Sequence, residues 1–285
     1  MGTLYVIATP IGNLEDLTLR AIRLLREVQL IAAEDTRHTR RLLQRYEITT
    51  RTVSYHEHNK LARRELLLQA LSEGDIALVS DAGTPAINDP GYELVVAAIE
   101  AGFAVSPVPG PSAPLAALVA SGLPTAQWTY LGFLPSKRTE RRAFLGEYAR
   151  LATTLLCFET PHRLADALAD IQQAWGDRRI CVARELTKLH EEFVRGQVSD
   201  AIAHFAAHPP RGEFVLVIEG YSAPPAPSDP QADWQALARS RLHALQAAGI
   251  AGGAAAKQVA KELGVGRGDV YGLWVALNDE QTTTE

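Results

Sequence analysis

Residues 76–91, IALVSDAGTPAINDPG, join a strand-length apolar run to a loop that is rich in glycine, proline and acidic residues. The run is apolar on successive positions rather than on alternate ones, which is typical of a parallel strand covered on both faces. Similar runs recur before and after it, separated by amphipathic helical stretches. The predicted strands are Leu4–Ala8, Leu30–Ala33, Ile76–Ser80 and Val105–Val108, and the predicted helices are Leu17–Glu27, Thr36–Tyr46, Leu61–Leu71, Tyr92–Ala101 and Ala113–Ser121. This alternation predicts an α/β domain with a mostly parallel sheet over residues 1–122.

The pattern changes after Gly122-Leu123-Pro124, where longer and more β-branched strands begin. The predicted strands are Thr153–Phe158, Arg179–Arg184, Glu192–Arg195 and Glu213–Glu219, with helices at Pro161–Trp175 and Val198–Ala207. Strands that follow one another without intervening helices indicate a mixed or antiparallel sheet, so residues 123–222 are predicted to form a second, α+β domain.

A proline-rich stretch, residues 223–231, predicts a linker between the second domain and the end of the chain. Residues 232–278 are helical in pattern throughout. Their segments Ala254–Leu263 and Arg267–Leu277 have helix-turn-helix spacing around Gly264. The sequence therefore predicts a small C-terminal helical unit.

Composition excludes several classes of protein. The chain has 285 residues, is 47% hydrophobic and carries a net charge of −5, which argues against non-specific coating of nucleic acid. No stretch approaches the roughly 18 apolar residues that span a bilayer, and the N-terminus lacks signal-peptide features, so we expect a cytoplasmic protein without membrane contact.

The two cysteines, Cys157 and Cys181, lie in apolar runs and predict buried thiols. No cluster of cysteine and histidine predicts a metal site.

Four loops at the ends of the predicted strands combine small, polar and proline residues: 9–13, 34–37, 81–91 and 109–113. Ligands of open α/β sheets bind at the carboxyl ends of the strands, and glycine lets a ligand approach the backbone closely. Each loop alone has an ordinary structural interpretation, since Asp35 or Ser112 can simply cap a helix. Their clustering favours a binding site. The chain contains neither a G-x-G-x-x-G turn after a strand nor a P-loop, which excludes those two nucleotide sites.

The motifs in these loops, together with motifs of the second domain, resemble those of the tetrapyrrole methylase superfamily. Within it they are most similar to the branch that methylates the 2′-hydroxyl of a cytidine ribose in small-subunit ribosomal RNA. The matching segments are, in order, TPIGNLEDLTLRA, AAEDTR, VSDAGTPAINDPG, PGPSA, FETPHRL, RELTKLHEE and GEFVLVIEG. The resemblance implies a two-domain methyltransferase that holds S-adenosyl-L-methionine in the cleft between its domains.

The resemblance also implies a set of cofactor-binding residues. The loop Asp81-Ala82-Gly83-Thr84-Pro85 stands where tetrapyrrole-modifying members often have Gly-Gly-Asp-Pro, a departure that matches the ribosomal RNA branch. Ile87 and Phe133 are expected to form an apolar slot for adenine. The full predicted set is Pro10, Asp81, Ala82, Gly83, Thr84, Ile87, Ser112, Ala113, Gly132, Phe133, Glu159 and Glu213.

Methyl transfer to an alcohol needs an aligned oxygen and a group that helps to remove its proton. Charged residues expected at the mouth of the cleft are Glu34, Asp35, His56, Glu185, Lys188 and Glu191. We predict that Glu185 or Lys188 acts near the hydroxyl and that Arg184 orients it, with Asp35 as a further catalytic candidate. In the alternative interpretation, surface salt bridges are formed by Arg184, Glu185 and Lys188, and Asp35 pairs with Arg37.

RNA binding requires positive charge along the path of the phosphates. Three basic clusters meet this requirement: Arg37, Arg40, Arg41 and Arg45; Lys60, Arg63 and Arg64; and Lys137, Arg138, Arg141, Arg142 and Arg150. In the C-terminal unit Lys257, Lys261 and Arg267 can reach phosphates, although the unit can equally serve packing or dimerisation. Each cluster can instead be a solvated helix face.

The resemblance implies a homodimer that acts on ribosomal RNA within the assembled small subunit. Two other functions stay open on the sequence: C-methylation of a porphyrin or corrin precursor, and a non-catalytic RNA- or ribosome-binding role.

Overall fold

The computed structural model describes residues 2–222 and 230–282. The chain divides into two compact units, Met1–Tyr221 and Ser222–Glu285. Of the predicted linker, residues 223–229 lie outside the described residues, whereas Pro230 already begins a helix.

The first unit contains the predicted parallel sheet, with strand order β3-β2-β4-β1-β5. All neighbouring strands in it are parallel. The strands are β1 (Thr3–Ile7), β2 (Leu30–Ala33), β3 (Thr52–Ser54), β4 (Ile76–Val79) and β5 (Ala104–Val108). The helices are α1 (Leu19–Glu27), α2 (Thr36–Arg45), α3 (Lys60–Glu73), α4 (Tyr92–Glu100) and α5 (Ala113–Ser121), with a short 3₁₀ helix at Leu14–Asp16. The prediction of a parallel α/β sheet is confirmed, although β3 was not predicted.

Burial explains the uninterrupted apolar runs of the central strands. Every residue of β2 and of β4 is buried, and separate apolar clusters cover the two faces of the sheet. β5 lies at the edge, where Pro107 is tolerated because an edge strand does not need every N–H for pairing.

The second sheet of the first unit is mixed, with strand order β6-β7-β10-β8-β9. β6 and β7 are parallel, and the other neighbours are antiparallel. The strands are β6 (Trp128–Phe133), β7 (Thr154–Glu159), β8 (Arg179–Arg184), β9 (Glu192–Gln197) and β10 (Phe214–Ile218), and the helices are α6 (Arg138–Tyr148), α7 (Leu164–Trp175) and α8 (Val198–Ala207). The predicted mixed sheet is confirmed, while β6 and α6 were not predicted. Cys157 and Cys181 are buried in it as free thiols.

Helix α5 follows the last strand of the first sheet but packs against the second sheet. Its Ala117 and Leu118 are buried in one apolar cluster with Leu156, Ala183 and Val217 of that sheet. Arg195 of β9 also donates a hydrogen bond from Nη2 to the carbonyl oxygen of Ala120, at 2.7 Å. The chain segment just before α5 is therefore held between the two sheets.

A buried ion pair joins α6 to α7. Arg141 is 2% exposed, and its Nη2 lies 2.7 Å from Oδ2 of Asp170, which is 1% exposed. Burial raises the pKa of Asp170, but the guanidinium groups of Arg142 and Arg141 outweigh it and hold that pKa below its ordinary value. The prediction that Arg141 belongs to an RNA-binding surface is therefore wrong. Its side chain is buried, and its charge is neutralised by Asp170 inside the protein.

The second unit consists, in the described residues, of α9 (Pro230–Ala247), α10 (Gly252–Leu263) and α11 (Arg267–Thr282) around their own apolar cluster. Gly264 adopts a left-handed conformation after α10, as the predicted turn requires. Lys257, Lys261 and Arg267 are exposed. No helix within residues 2–222 and 230–282 is both long enough and apolar enough to cross a membrane.

Candidate active site

Hydrogen bonds join the loops at the carboxyl ends of β1, β2 and β4. Thr9 and Gly83 exchange backbone hydrogen bonds of 2.8 and 2.9 Å. Oδ1 of Asp81 accepts a 3.0 Å hydrogen bond from the N–H of Asp35, and Oε2 of Glu34 accepts a 3.2 Å bond from the N–H of Asp81. The three loops thus form one connected platform, as their shared sheet edge predicts.

A cavity of about 370 Å³ opens between this platform and the second sheet. Its volume lies within the range of small-molecule sites, roughly 300–1,000 Å³. The first sheet contributes the loop after β4 and the start of α5, and the second contributes the ends of β6 and β7 and the start of β10. The lining residues are Ile11, Ala82, Gly83, Thr84, Ile87, Asn88, Asp89, Ser112, Ala113, Pro114, Phe133, Phe158, Glu159, Thr160, Pro161, Leu186, Gly212, Glu213, Phe214 and Val215.

Most of the predicted cofactor-binding residues lie together in this cavity wall: Ala82, Gly83, Thr84, Ile87, Ser112, Ala113, Phe133, Glu159 and Glu213. Three others do not line it. Pro10 follows the Thr9 bridge, Asp81 faces the loop after β2, and Gly132 lets the side chain of Asn88 approach the backbone of β6. A Cβ atom at Gly132 would lie 3.2 Å from Nδ2 of Asn88, and its φ of 67° favours glycine. That the whole set binds a cofactor stays a prediction.

The wall is largely apolar but not closed. Ile87, in the loop after β4, and Phe133, at the end of β6, are 48% and 49% exposed, so the cavity wall presents large apolar side chains to solvent. Phe133 also packs against Phe158, with ring centroids 5.2 Å apart. Small residues, Ala82 and Ala113, leave the space between these apolar surfaces free. The arrangement is an apolar slot that is open to solvent.

Three carboxyl groups, those of Asp89, Glu159 and Glu213, complete the lining. Burial, together with the nearby charges of Glu34 and Asp81, raises the pKa of Asp89 to about 6. Burial also raises the pKa of Glu159, against the opposing effects of the Thr160 N–H and Arg163, whose Nη2 lies 3.0 Å from Oε1 of Glu159. Burial therefore disfavours the ionised forms of two of the three carboxyl groups, those of Asp89 and Glu159.

Strained backbone is concentrated beside the cavity. Five non-glycine residues in the described part of the chain have positive φ. Ala86 and Asn88 lie within the loop after β4, and Glu185 and Thr187 lie in the turn after β8. Such conformations cost on the order of 1–3 kcal/mol each and persist where the surrounding contacts hold them. Asn88 is held by the hydroxyl of Tyr130, which donates to its Oδ1. The strain marks both loops as functional candidates.

The predicted catalytic residues of the turn after β8 lie at the rim of the cavity, next to Leu186 and Glu213. Nζ of Lys188 is 2.9 Å from Oε1 of Glu185 and 3.0 Å from Oε2 of Glu213. Burial alone would lower the pKa of Lys188, but these two carboxylates outweigh it and raise that pKa above its ordinary value. Lys188 is therefore a fixed cation at neutral pH. Arg184 points away from it, pairing with Glu192 at 2.8 Å and donating to the carbonyl oxygen of Arg211.

Asp35 takes the structural role that the sequence left open as an alternative. Its carboxylate caps α2 by accepting the Arg37 N–H at 2.8 Å and pairs with the Arg37 guanidinium at 2.7 Å. Hydrogen bonds from Arg37 hold the pKa of Asp35 well below its usual range. Its participation in catalysis stays a prediction.

Sequence reasoning did not select several residues that the fold brings into the cavity. Asn88 and Asp89 belong to the predicted loop 81–91, yet their position after Pro85 gives no sign in the sequence that they line a cavity. Phe158 and Leu186 look like ordinary core residues, and only their place at the ends of β7 and β8 hinted at the site. Within the described residues no group of three or more metal-ligating side chains comes together.

The sequence of this chain is similar to that of a family of known proteins. Residues 3–202 match the family described as Tetrapyrrole (Corrin/Porphyrin) Methylases. The chain belongs to the tetrapyrrole methylase family. Its members are methyltransferases, and the prediction of an enzyme of this class is confirmed.

Several relatives of this chain carry the name Ribosomal RNA small subunit methyltransferase I. The protein from Halalkalibacterium halodurans is 48% identical over 276 residues, which cover 96% of this chain and 94% of the relative. The one from Escherichia coli O157:H7 is 49% identical over 226 residues, covering 78% of this chain and 79% of the relative.

Solved structures of tetrapyrrole-modifying enzymes share the fold. Cobalt precorrin-4 methyltransferase aligns with a TM-score of 0.57 at 19% identity, covering 75% of this chain and 94% of that protein. Uroporphyrin-III C-methyltransferase from Thermus thermophilus aligns with a TM-score of 0.54 at 20% identity, covering 76% and 97%. At these identities the likeness concerns the fold.

The raised pKa of Asp89 predicts a pH-dependent stability. The folded state holds the Asp89 proton up to about pH 6, whereas the unfolded chain loses it near 3.8. The Asp89 contribution to the free energy of unfolding therefore falls as pH rises from about 4 to about 6. Asp89→Asn removes this loss, so the variant should gain stability over the wild type across that interval and keep the gain at higher pH. Urea unfolding between pH 4 and 8 measures the difference.

Asp166→Asn, an exposed change on α7 outside the cavity, is the matched control. A stability difference between Asp89→Asn and the wild type that stays constant from pH 4 to 8 would show that folding does not raise the pKa of Asp89.

Proposed function

We propose that the protein transfers a methyl group from S-adenosyl-L-methionine to the ribose 2′-hydroxyl of a cytidine in small-subunit ribosomal RNA. The observation that carries this proposal is the nearly full-length similarity to relatives named for a small-subunit ribosomal RNA methyltransferase. Identity of 48% extends over both sheets and into the C-terminal unit, so it covers the parts of the chain that would hold cofactor and RNA.

The cavity fits the proposed cofactor in size and chemistry. S-adenosylmethionine, when bound, supplies a methyl group on a positively charged sulfur. Ile87 and Phe133 would take the flat adenine, and the small residues Ala82 and Gly83 would let the ligand lie against the backbone. Glu159 would face its cationic groups, because a partly buried carboxylate attracts positive charge strongly.

The turn after β8 would position the substrate. Lys188 is held by Glu185 and Glu213 at the rim, so its ammonium group is fixed rather than free to rotate. We propose that this cation binds an oxygen of the nucleotide and that Glu185 orients it. Arg184 would act one layer away, through its pair with Glu192. Alignment of this kind supplies much of the rate enhancement in methyl transfer.

Proton removal from the 2′-hydroxyl is assigned, within the same proposal, to Asp89. It lines the cavity, and its pKa of about 6 lies close to neutral pH, where a general base is most effective. Lys188 is unsuited to this task because its pKa is raised. The charges of Glu34 and Asp81 beside Asp89 favour its taking up a proton.

The proposal extends to the setting of the reaction. The substrate would be ribosomal RNA within the assembled small subunit, in the cytoplasm, and the enzyme would act as a homodimer. The rival function of tetrapyrrole methylation is not favoured, since the tetrapyrrole enzymes resemble this chain in fold at only 19–20% identity. A purely binding role is not favoured either, because the chain belongs to a family of methyltransferases.

The first prediction concerns the cofactor. Ala82→Leu should place three further carbon atoms in the cavity and weaken S-adenosylmethionine binding about tenfold or more, since overpacking costs about 1–3 kcal/mol. Isothermal titration calorimetry measures the dissociation constant. Ala206→Leu, on the exposed face of α8, is the control and should bind normally. Equal affinity in both variants would remove the loop after β4 from the cofactor site.

The second prediction concerns the product. Small ribosomal subunits from a strain that lacks this gene should accept radiolabelled methyl groups from S-adenosylmethionine, and mass spectrometry of the digested RNA should identify 2′-O-methylcytidine. Subunits from the wild-type strain serve as the control, because their site is already methylated. Label on a base, or on a tetrapyrrole and not on RNA, would overturn the proposal.

The third prediction concerns the base. The wild-type kcat should fall below about pH 6, because protonated Asp89 cannot accept the proton. Asp89→Asn should lower kcat by about 10²–10⁴-fold and abolish this acidic limb, while the affinity for S-adenosylmethionine stays within a few-fold. A variant that loses cofactor affinity but keeps its kcat and acidic limb would identify Asp89 as a binding residue instead.

A further inference from the structure

Three arginines of α6 converge on one buried carboxylate of α7. Oδ1 of Asp170 lies 2.8 Å from Nε of Arg142 and 3.4 Å from Nε of Arg138, while Oδ2 lies 2.7 Å from Nη2 of Arg141. Asp170 carries a single negative charge and is 1% exposed. One carboxylate therefore organises three guanidinium groups and neutralises only one of them.

The buried arginine and the two outer arginines differ in how many N–H groups they leave unpaired for a ligand. Arg141 also donates from Nη1 to the carbonyl oxygens of Pro135 and Ser136, so its charge is used inside the protein. Arg138 and Arg142 are 65% and 40% exposed and turn their Nε atoms inward. No described residue accepts a hydrogen bond from their Nη groups. Two guanidinium forks thus face solvent in a fixed orientation, the geometry that binds phosphate in a bidentate manner.

The pair also lies at a fixed position next to the cavity. α6 begins at Arg138, five positions after Phe133 of the cavity wall. The intervening segment is held from both sides, since Arg163 donates to the carbonyl oxygen of Leu134 and Arg141 donates to that of Pro135. Arg163 in turn pairs with Glu159 of the cavity. Hydrogen bonds to the intervening backbone therefore tie the start of α6, which carries both exposed arginines one helical turn apart, to the cavity wall.

The other basic clusters lack this combination of excess charge and orientation. Lys60 is paired with Glu57 and Glu93, and Arg37 with Asp35. Lys137, directly before α6, pairs with Glu140 of that helix. Arg40 and Arg41 of α2 are exposed, but no ion pair among the described residues orients them. Only an oriented charge binds a phosphate without a large loss of side-chain entropy.

We propose that Arg138 and Arg142 form a clamp for two phosphates of the RNA backbone beside the cavity, with Asp170 as the positioning residue. The inference rests on the proposed function, since it names where that RNA is held. The clamp would fix the register of the strand and leave the choice of nucleotide to the cavity, because phosphate contacts position a nucleic acid without reading its sequence.

The test uses Arg138→Gln with Arg142→Gln in the full-length protein. This double variant keeps the buried Arg141–Asp170 pair and should fold normally. Arg23→Gln with Arg51→Gln removes the same charge at exposed positions that do not line the cavity, and serves as the matched control. Binding to unmethylated small ribosomal subunits is measured at constant Mg²⁺ between about 50 and 200 mM KCl, the interval over which phosphate contacts are strongly salt-dependent.

The clamp variant should bind about tenfold more weakly at the low-salt end, because it loses two charge-assisted contacts. The slope of log affinity against log salt should become shallower by about 1.4, the value for two phosphate contacts on a single strand. The KM for subunits should rise by a similar factor, while kcat and the affinity for S-adenosylmethionine stay unchanged. The control variant should keep the wild-type slope.

Asp170→Asn separates orientation from net charge, since it makes the protein more positive while releasing both arginines. Weaker subunit binding by this variant, once its folding is verified, supports the clamp; tighter binding overturns it. A clamp variant with wild-type slope and KM, or a control variant with an equal loss, also overturns it while ribose methylation stands. A wild-type protein that neither binds nor methylates the subunits overturns the proposed function, and the clamp with it.

Discussion

The packing of α5 against the second sheet is the interaction on which the rest of the site depends. Ala117 and Leu118 leave the first sheet's layer and are buried against Leu156 and Val217 of the second. Because α5 begins directly after the loop that carries Ser112, this packing sets the distance between the two sheets at the cavity. Loosening this packing would separate the apolar wall at Phe133 from the loop after β4, and the cavity between them would be lost.

The cavity combines features that a purely structural region would avoid. It exposes large apolar side chains, it collects carboxyl groups whose pKa burial raises, and its loops hold non-glycine residues at positive φ. Each of these costs free energy in the absence of a ligand. A cationic ligand with a flat ring would offset two of them, by covering the apolar wall and by balancing the carboxylates. The surrounding hydrogen bonds, from Thr9 to Gly83 and from Tyr130 to Asn88, resist collapse of the loops.

Arginine serves two purposes on α6, although the residues are neighbours in sequence. Arg141 is buried and stabilises the contact with α7, whereas Arg138 and Arg142 use the same carboxylate as an anchor and present their charge outward. Positions 138, 141 and 142 share one side of the helix, at i, i+3 and i+4, so all three side chains reach Asp170. They differ in burial, since the Arg141 side chain is almost fully buried and the other two are open to solvent. A basic run is therefore not a uniform surface. Ion pairs determine the role of Lys188 in the same way. Its ammonium group is held between the carboxylates of Glu185 and Glu213, so it differs from an unpaired lysine that could act as a base.

The sequence by itself determined the four longer parallel strands, their helices, the mixed second sheet and the helical C-terminal unit, because continuous burial imposes apolar runs that local composition records. It also selected the loops of the site, since four loops rich in small, polar and proline residues cluster at the carboxyl ends of strands of one sheet. Only the tertiary structure decided the rest. β3 has three partly buried residues, and β6 is interrupted by a bulge near Gly132, so neither has a clear period. The inward direction of Asp89, the burial of Arg141 and the insertion of β10 between β7 and β8 arise from contacts between distant segments, which leave no periodic trace in the chain.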